Sequence, residues 1–205
     1  GENCIAVAPG ANYSLLPGSI IHFSKVIDEA DIIVMQAEIP YETIKRIALL
    51  AKQKGKKVLF NPAPACLIDE ELMKAIDILV VNELEAAFIS GIEYTGNNLE
   101  EIALSLLQAG ARNAVITLGS QGVYMKNDKE IIQLPGYKVN AIDTIAAGDT
   151  FCGALAVICA QREIDRDALS FANAAAAIAV TRSGAQPSIP TLTEVNAFIH
   201  PQINF

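Results

Sequence analysis

The chain has no tryptophan, only two histidines and four cysteines among its 205 residues. With His22 and His200 as the sole imidazoles, far apart in sequence, a histidine-based triad or metal cluster is disfavoured. Cys4, Cys66, Cys152 and Cys159 form no Cys-x-x-Cys pair, so they read as reduced, buried residues of a cytoplasmic protein. Cys152 and Cys159 lie seven apart, on one helical face, which points to packing. Basic residues are also scarce: the formal net charge is −8, and the one lysine-rich stretch, Lys52-Gln-Lys-Gly-Lys-Lys57, reads as a solvated helix end. Nucleic acid is therefore a poor partner. No apolar run is long enough for a membrane span, and no basic, cleavable leader is read at the N-terminus. A Walker A loop is missing too, because Gly91-Ile-Glu-Tyr-Thr-Gly96 is followed by Asn97-Asn98 where lysine and a hydroxyl residue are needed. No Gly-x-Gly-x-x-Gly follows a strand, which argues against a dinucleotide fold.

What is present is apolar sequence, 52% of the chain, enough to bury a core without disorder. Strands are expected over Cys4–Ala8, Ile32–Ala37, Lys57–Asn61, Ile78–Val81 and Ala114–Thr117. Helices are expected near Ser19–Glu29, Tyr41–Gln53, Glu70–Ala75, Glu83–Ser90 and Leu99–Ala109. Wholly apolar strands alternating with amphipathic helices predict a mostly parallel sheet covered on both faces, a three-layer α/β/α fold. Beyond Gly119 the pattern predicts a short antiparallel excursion, Gly122–Met125 and Glu130–Leu134. Helices Ala147–Gln161, Asp165–Thr181 and Leu192–Phe198 follow. No linker or repeat interrupts this, so residues 1–205 read as one domain. Ligands bind at the carboxyl ends of such strands, where Glu38, Asn61, Asn82 and Thr117 form a candidate polar rim. Each of these alone is more often a plain cap or turn residue.

The most informative stretch is Asp143-Thr-Ile-Ala-Ala-Gly-Asp149-Thr-Phe-Cys-Gly153. Small residues at 146–148 admit close approach to the backbone, and a helix starting there would direct unpaired N–H groups and its positive dipole end outward. That suits a phosphate, or charge developing during its transfer. Asp149 places a carboxylate at the same mouth, where a general base would serve. Asp149-Thr150 is also an ordinary helix start, so the local pattern leaves both readings open.

The same stretch, extended to Leu155, resembles the C-terminal signature of the ribokinase (PfkB) family of carbohydrate kinases. Further segments agree in order and spacing: Met35-Gln-Ala-Glu-Ile-Pro40, Asn61-Pro-Ala-Pro-Ala65, Val81-Asn-Glu-Leu-Glu85, Ile116-Thr-Leu-Gly-Ser-Gln-Gly122 and Ala174 through Ser188. The Ala-Ala-Gly-Asp form, where many relatives have Gly-Ala-Gly-Asp, and Gly184-Ala-Gln-Pro-Ser188 point to the ribose-phosphorylating branch. The resemblance implies transfer of the ATP γ-phosphate to the terminal hydroxyl of D-ribose. It implies Asp149 as base and the Ala146, Ala147 and Gly148 amides as anion hole. It implies Asn82 and Glu85 as placing Mg²⁺ and the phosphates, and Thr117, Gly119 and Asn173 as nucleotide contacts. Glu38 would lie on the sugar side. A monovalent cation, K⁺, would be held by Asp143, the carbonyls of Ile145, Ala179, Arg182 and Gly184, and Ser188, an all-oxygen set suited to a hard ion.

Relative to the family pattern the chain is expected to lack the first sheet strands, the lid over the sugar and a Gly-Gly-Lys-Gly-type segment, so the domain is N-terminally incomplete. A homodimer of the intact protein would use that lid. Three readings follow: a ribose kinase, another PfkB-type kinase acting on fructose, adenosine or pseudouridine, or a nucleotide-binding fragment without turnover.

Overall fold

Six strands alternate with helices in the computed structural model, which describes residues 8–200. The strands are β1 (Ile32–Gln36), β2 (Lys57–Asn61), β3 (Ile78–Asn82), β4 (Asn113–Thr117), β5 (Val123–Asn127) and β6 (Ile131–Leu134). They lie in sequence order across one sheet, β1 to β4 parallel and β5 and β6 antiparallel. The strand expected over Cys4–Ala8 lies, apart from Ala8, outside the described residues, as does Cys4.

The apolar runs have a simple cause. Alternate residues of one strand bury into two different layers. Phe60, Val81 and Ile116 face helices α2 (Tyr41–Gln53), α3 (Glu70–Ala75), α4 (Glu83–Ser90) and α5 (Leu99–Gln108). Their neighbours Leu59, Val80 and Val115 face α6 (Ala147–Cys159) and α7 (Arg166–Ala179). A strand covered on both sides has no polar face, so it reads as continuous hydrophobicity. Helix α8 (Leu192–Ile199) packs outside α7, with the Tyr137 and Phe198 rings 5.0 Å apart. The fold is a three-layer α/β/α sandwich.

Two expectations need correction. The helix expected over Ser19–Glu29 is a 3₁₀ segment, Pro17–Phe23, running into a short α1, Ser24–Glu29. Gly18, the β-branched Ile20 and Ile21, and Phe23 are weak helix formers, and only Ile20 of that segment is buried, so packing does not offset the propensity. The lysine cluster is not merely solvated. Lys57 Nζ donates to the carbonyls of Cys159 and Arg162 at 2.9 Å each, capping the end of α6. Lys54 pairs with Asp28 and Lys52 with Asp77.

Among the described residues β1 pairs only with β2, and Val34 at its centre is 41% exposed. At the other side of the sheet a close crossing fixes the start of β5. A Cβ at Gly122 would sit 2.1 Å from the Leu134 carbonyl oxygen, and one at Gly136 2.1 Å from that of Ser120. Only glycine fits at either place.

Candidate active site

The carboxyl ends of the parallel strands present a row of polar side chains. Gln36 lies in register with Asn61, and Asn82 with Thr117. Glu38 falls beyond β1 in an exposed turn, so Gln36 takes the rim position at the strand end. The overlooked signal was that Gln36 is the first polar residue to end the run Ile32–Met35. Asn61 Nδ2 donates to the Val80 carbonyl at 2.8 Å, and Thr117 Oγ1 to that of Val81 at 3.3 Å. These bonds tie strand ends together.

Helix α6 brings its first turn to the same rim. Asp149 is exposed there, and Gln36 Nε2 donates to its Oδ1 at 3.4 Å. Ala146, the residue before the helix, has φ +60° and ψ 11°, the only non-glycine in the left-handed region among the described residues. That conformation is strained for an L-residue and such strain gathers at functional sites. The turn it makes leaves the amides of Ala146, Gly148 and Asp149 without an acceptor among the described residues, whereas the Ala147 amide reaches the Thr144 carbonyl at 3.3 Å. The open N–H groups at this helix N-terminus are thus those of Ala146, Gly148 and Asp149, an arrangement able to receive an anion.

The loop before α6 is held by Asp143. Its Oδ1 accepts from the Ile145 amide and its Oδ2 from the Gly184 amide, each at 3.0 Å. These two donors hold the carboxyl below the usual carboxylate range. The amides of Ile142 and Asp143 also donate to the Val180 carbonyl, at 2.7 and 3.2 Å. Asp143 thereby ties the neighbouring Ile145 to Gly184, 41 residues further along the chain. The Ala179 carbonyl accepts from the Arg182 amide, and buried Ser188 donates through Oγ to the Ala185 carbonyl at 2.6 Å. All potential donors here are oxygens, so the set fits a hard monovalent cation.

Asn82 and Glu85 form a reciprocal capping box at the start of α4. Asn82 Oδ1 accepts from the Glu85 amide at 2.8 Å, and Glu85 Oε2 from the Asn82 amide at 2.9 Å. Burial raises the Glu85 carboxyl, partly opposed by that amide. Glu85 Oε1 has no hydrogen-bond partner among the described residues. Among the described residues no three His, Cys, Asp or Glu side chains converge on one point. A divalent ion at this rim would therefore be held largely through phosphate and water, which suits Mg²⁺. Cys152 is buried beneath the site, and its thiol is pushed up to about 12 by burial, then by the charges of Asp149 and Glu85. It stays protonated and is no nucleophile.

Gly119 (φ +52°) opens a 3₁₀ turn just past β4, at the rim. Asn173 is placed differently: it is buried in α7 and donates through Nδ2 to the Pro135 carbonyl at 3.0 Å. Its amide serves first to fasten the segment after β6. Among the described residues no helix is long and apolar enough to cross a membrane.

Residues 1–192 match the model of the pfkB family carbohydrate kinases. The chain belongs to that family. It is 41% identical over 198 residues to a ribokinase of Staphylococcus aureus, covering 96% of this chain and 65% of the relative. It is 33% identical over 201 residues to a deoxyribokinase of Salmonella typhi, with 97% and 65% covered. The structure of Arabidopsis thaliana ribokinase complexed with ribose and ATP superposes with a TM-score of 0.90 at 28% identity, over 98% of this chain and 66% of that one. This pfkB-family chain thus spans less than two thirds of the length of the curated relatives it matches.

Proposed function

We propose that this chain carries the nucleotide-binding and catalytic part of an ATP-dependent ribose kinase. The observation that carries this reading is the pair formed by the free amides at the start of α6 and the Asp149 carboxylate beside them. Asp149 accepts the proton of the sugar's terminal hydroxyl as its oxygen bonds to the γ-phosphorus of ATP. The bond from that phosphorus to the β–γ bridging oxygen breaks, and ADP leaves. Charge gathers on the equatorial oxygens during transfer, where the Ala146, Gly148 and Asp149 amides receive it without reorganising. The rim residues Asn82, Glu85, Thr117 and Gly119 hold the nucleotide side, with Mg²⁺ on the phosphates, and Glu38 stands on the sugar side. Asn173 contributes near the base of the nucleotide. K⁺ fits the oxygens gathered by Asp143, and when bound would add positive charge behind the anion hole.

Openness favours a second reading. Both Glu38 and Asp149 are exposed, so little here orients a sugar, and lost orientation costs orders of magnitude in rate. ATP-dependent ADP release with Mg²⁺ and K⁺, measured across ribose, deoxyribose, fructose and adenosine, decides between them. Ribose-dependent release is the expected result. Release with another of these and not with ribose moves the assignment to that substrate. Stabilisation by ATP with no release from any of them leaves a nucleotide-binding module.

A further inference from the structure

Gln36 closes β1 in the polar row at the carboxyl ends of the strands. It follows Ile32 and Val34 on the face of β1 turned toward α6, and Ile32 packs into the cluster built by that helix. Gln36 is half-buried at the strand end, and its side-chain amide has one partner among the described residues, Asp149 Oδ1. The two residues are 113 apart in the chain. The rear of α6 is fixed independently by Lys57, which caps it from the amino end of β2. Lys57 thus holds the end of α6, and Gln36 contacts its first turn.

We propose that Gln36 is a positioning residue for Asp149, occupying Oδ1 so that Oδ2 is turned to the substrate hydroxyl. This rests on the reading of Asp149 as the base. The chemistry favours a neutral amide for the task. A lysine or arginine at this place would form an ion pair and weaken the carboxylate as a proton acceptor, whereas an amide directs one lone pair and leaves the charge in place. A separation of 3.4 Å is long for such a bond, as catalytic hydrogen bonds commonly are before substrate tightens them. The Gln36 carbonyl oxygen is left to accept from the sugar or from water.

Two variants and one signal test this. Gln36→Met keeps the length of the side chain and removes the donor. Gln36→Glu keeps the shape and substitutes an acceptor that repels Asp149. Both are expected to lower kcat on the order of 10- to 100-fold, the cost of a misdirected group, while KM for ATP and the thermal midpoint hold. A structural role would do the reverse, sparing kcat in the isosteric Gln36→Glu. Separately, the side-chain ¹H–¹⁵N signals of Gln36 are expected to shift in Asp149→Asn, a readout that needs no turnover. If those signals do not move, or if Gln36→Met retains the parent kcat, Gln36 has no positioning role while the kinase reading stands. If they move but no sugar is phosphorylated by the parent chain, the kinase reading fails and takes the catalytic role of Gln36 with it.

Discussion

At the amino ends of the strands Asp77 is buried and accepts from the Val58 amide at 3.0 Å and from Arg112 at 2.9 Å, with Lys52 at 3.5 Å. Lys57 is consumed there by two carbonyls and Glu163. At the carboxyl ends the balance is inverted: among the described residues three amides of the α6 start find no acceptor, Asp149 has one long side-chain contact, and Glu38 is exposed. The same sheet thus closes its polar groups on each other at one end and leaves them open at the other. A cavity of about 720 Å³, lined by Arg112, Asn113 and Lys126, lies at the closed end, away from the unpaired groups. Unspent hydrogen-bonding capacity, more than concavity, distinguishes the carboxyl end, where exposed donors at a helix start stay open to a ligand or water.

Breaking the open end should cost activity and spare the fold. Asp149→Asn is expected to reduce sugar-dependent ADP release by about 10²–10⁴-fold, the usual contribution of a positioned base, with stabilisation by ATP retained. Near-normal release would remove Asp149 from the mechanism. Breaking the closed end should do the opposite. Asp77→Ala strips the acceptor from a buried amide and two cations and is expected to lower unfolding free energy by about 3 kcal/mol, read by denaturant titration. Activity per folded molecule should be unchanged; a selective loss of turnover would mean the two ends are coupled.

Smaller effects sharpen the contrast. Ala146→Gly removes left-handed strain at the anion hole and is expected to raise stability by about 0.5–1 kcal/mol in the same titration, with turnover retained. A destabilised Ala146→Gly would show the conformation is not held against strain. The smallest effect is pH-dependent. Glu194 is held down to about 2, first by the Thr191 amide and then by Arg182, from an ordinary value of 4.5. Its lowered folded value means its stabilisation of the α8 cap is full above about 4.5 and lost as pH falls toward 2. Asp143 acts in the same direction on the site loop, through Ile145 and Gly184. The Thr191 amide should therefore report Glu194, and the Ile145 and Gly184 amides Asp143, each titrating below the ordinary carboxylate range. Titration of these signals in the ordinary carboxylate range, near 4.5 for Glu194, would remove the carboxylates from these contacts.

Much of the architecture was legible in the chain. Lys57–Asn61, Tyr41–Gln53, Glu70–Ala75 and Glu83–Ser90 form the expected elements with the expected bounds. They are marked by local chemistry: two-sided apolar runs, and caps such as Asp69, whose carboxylate accepts from the Leu72 amide at 2.9 Å. The stretch from Ala146 to Asp149 opens a helix as expected. What was not legible is equally specific. Nothing adjacent to Asn173 tells of Pro135, and Ala146 gives no local sign of its positive φ beyond the small residues around it.

Chain separation divides the two kinds of knowledge. Period, caps and small-residue runs act within a few residues, so the sequence by itself determined the layers, the helix opening at Ala147 and the family signature. The contacts that make a site from these parts join Gln36 to Asp149 across 113 residues, Lys57 to Cys159 across 102 and Asp143 to Gly184 across 41. Contacts at such distances exist only once the core has closed the intervening loops, so their geometry was decided by the tertiary structure alone.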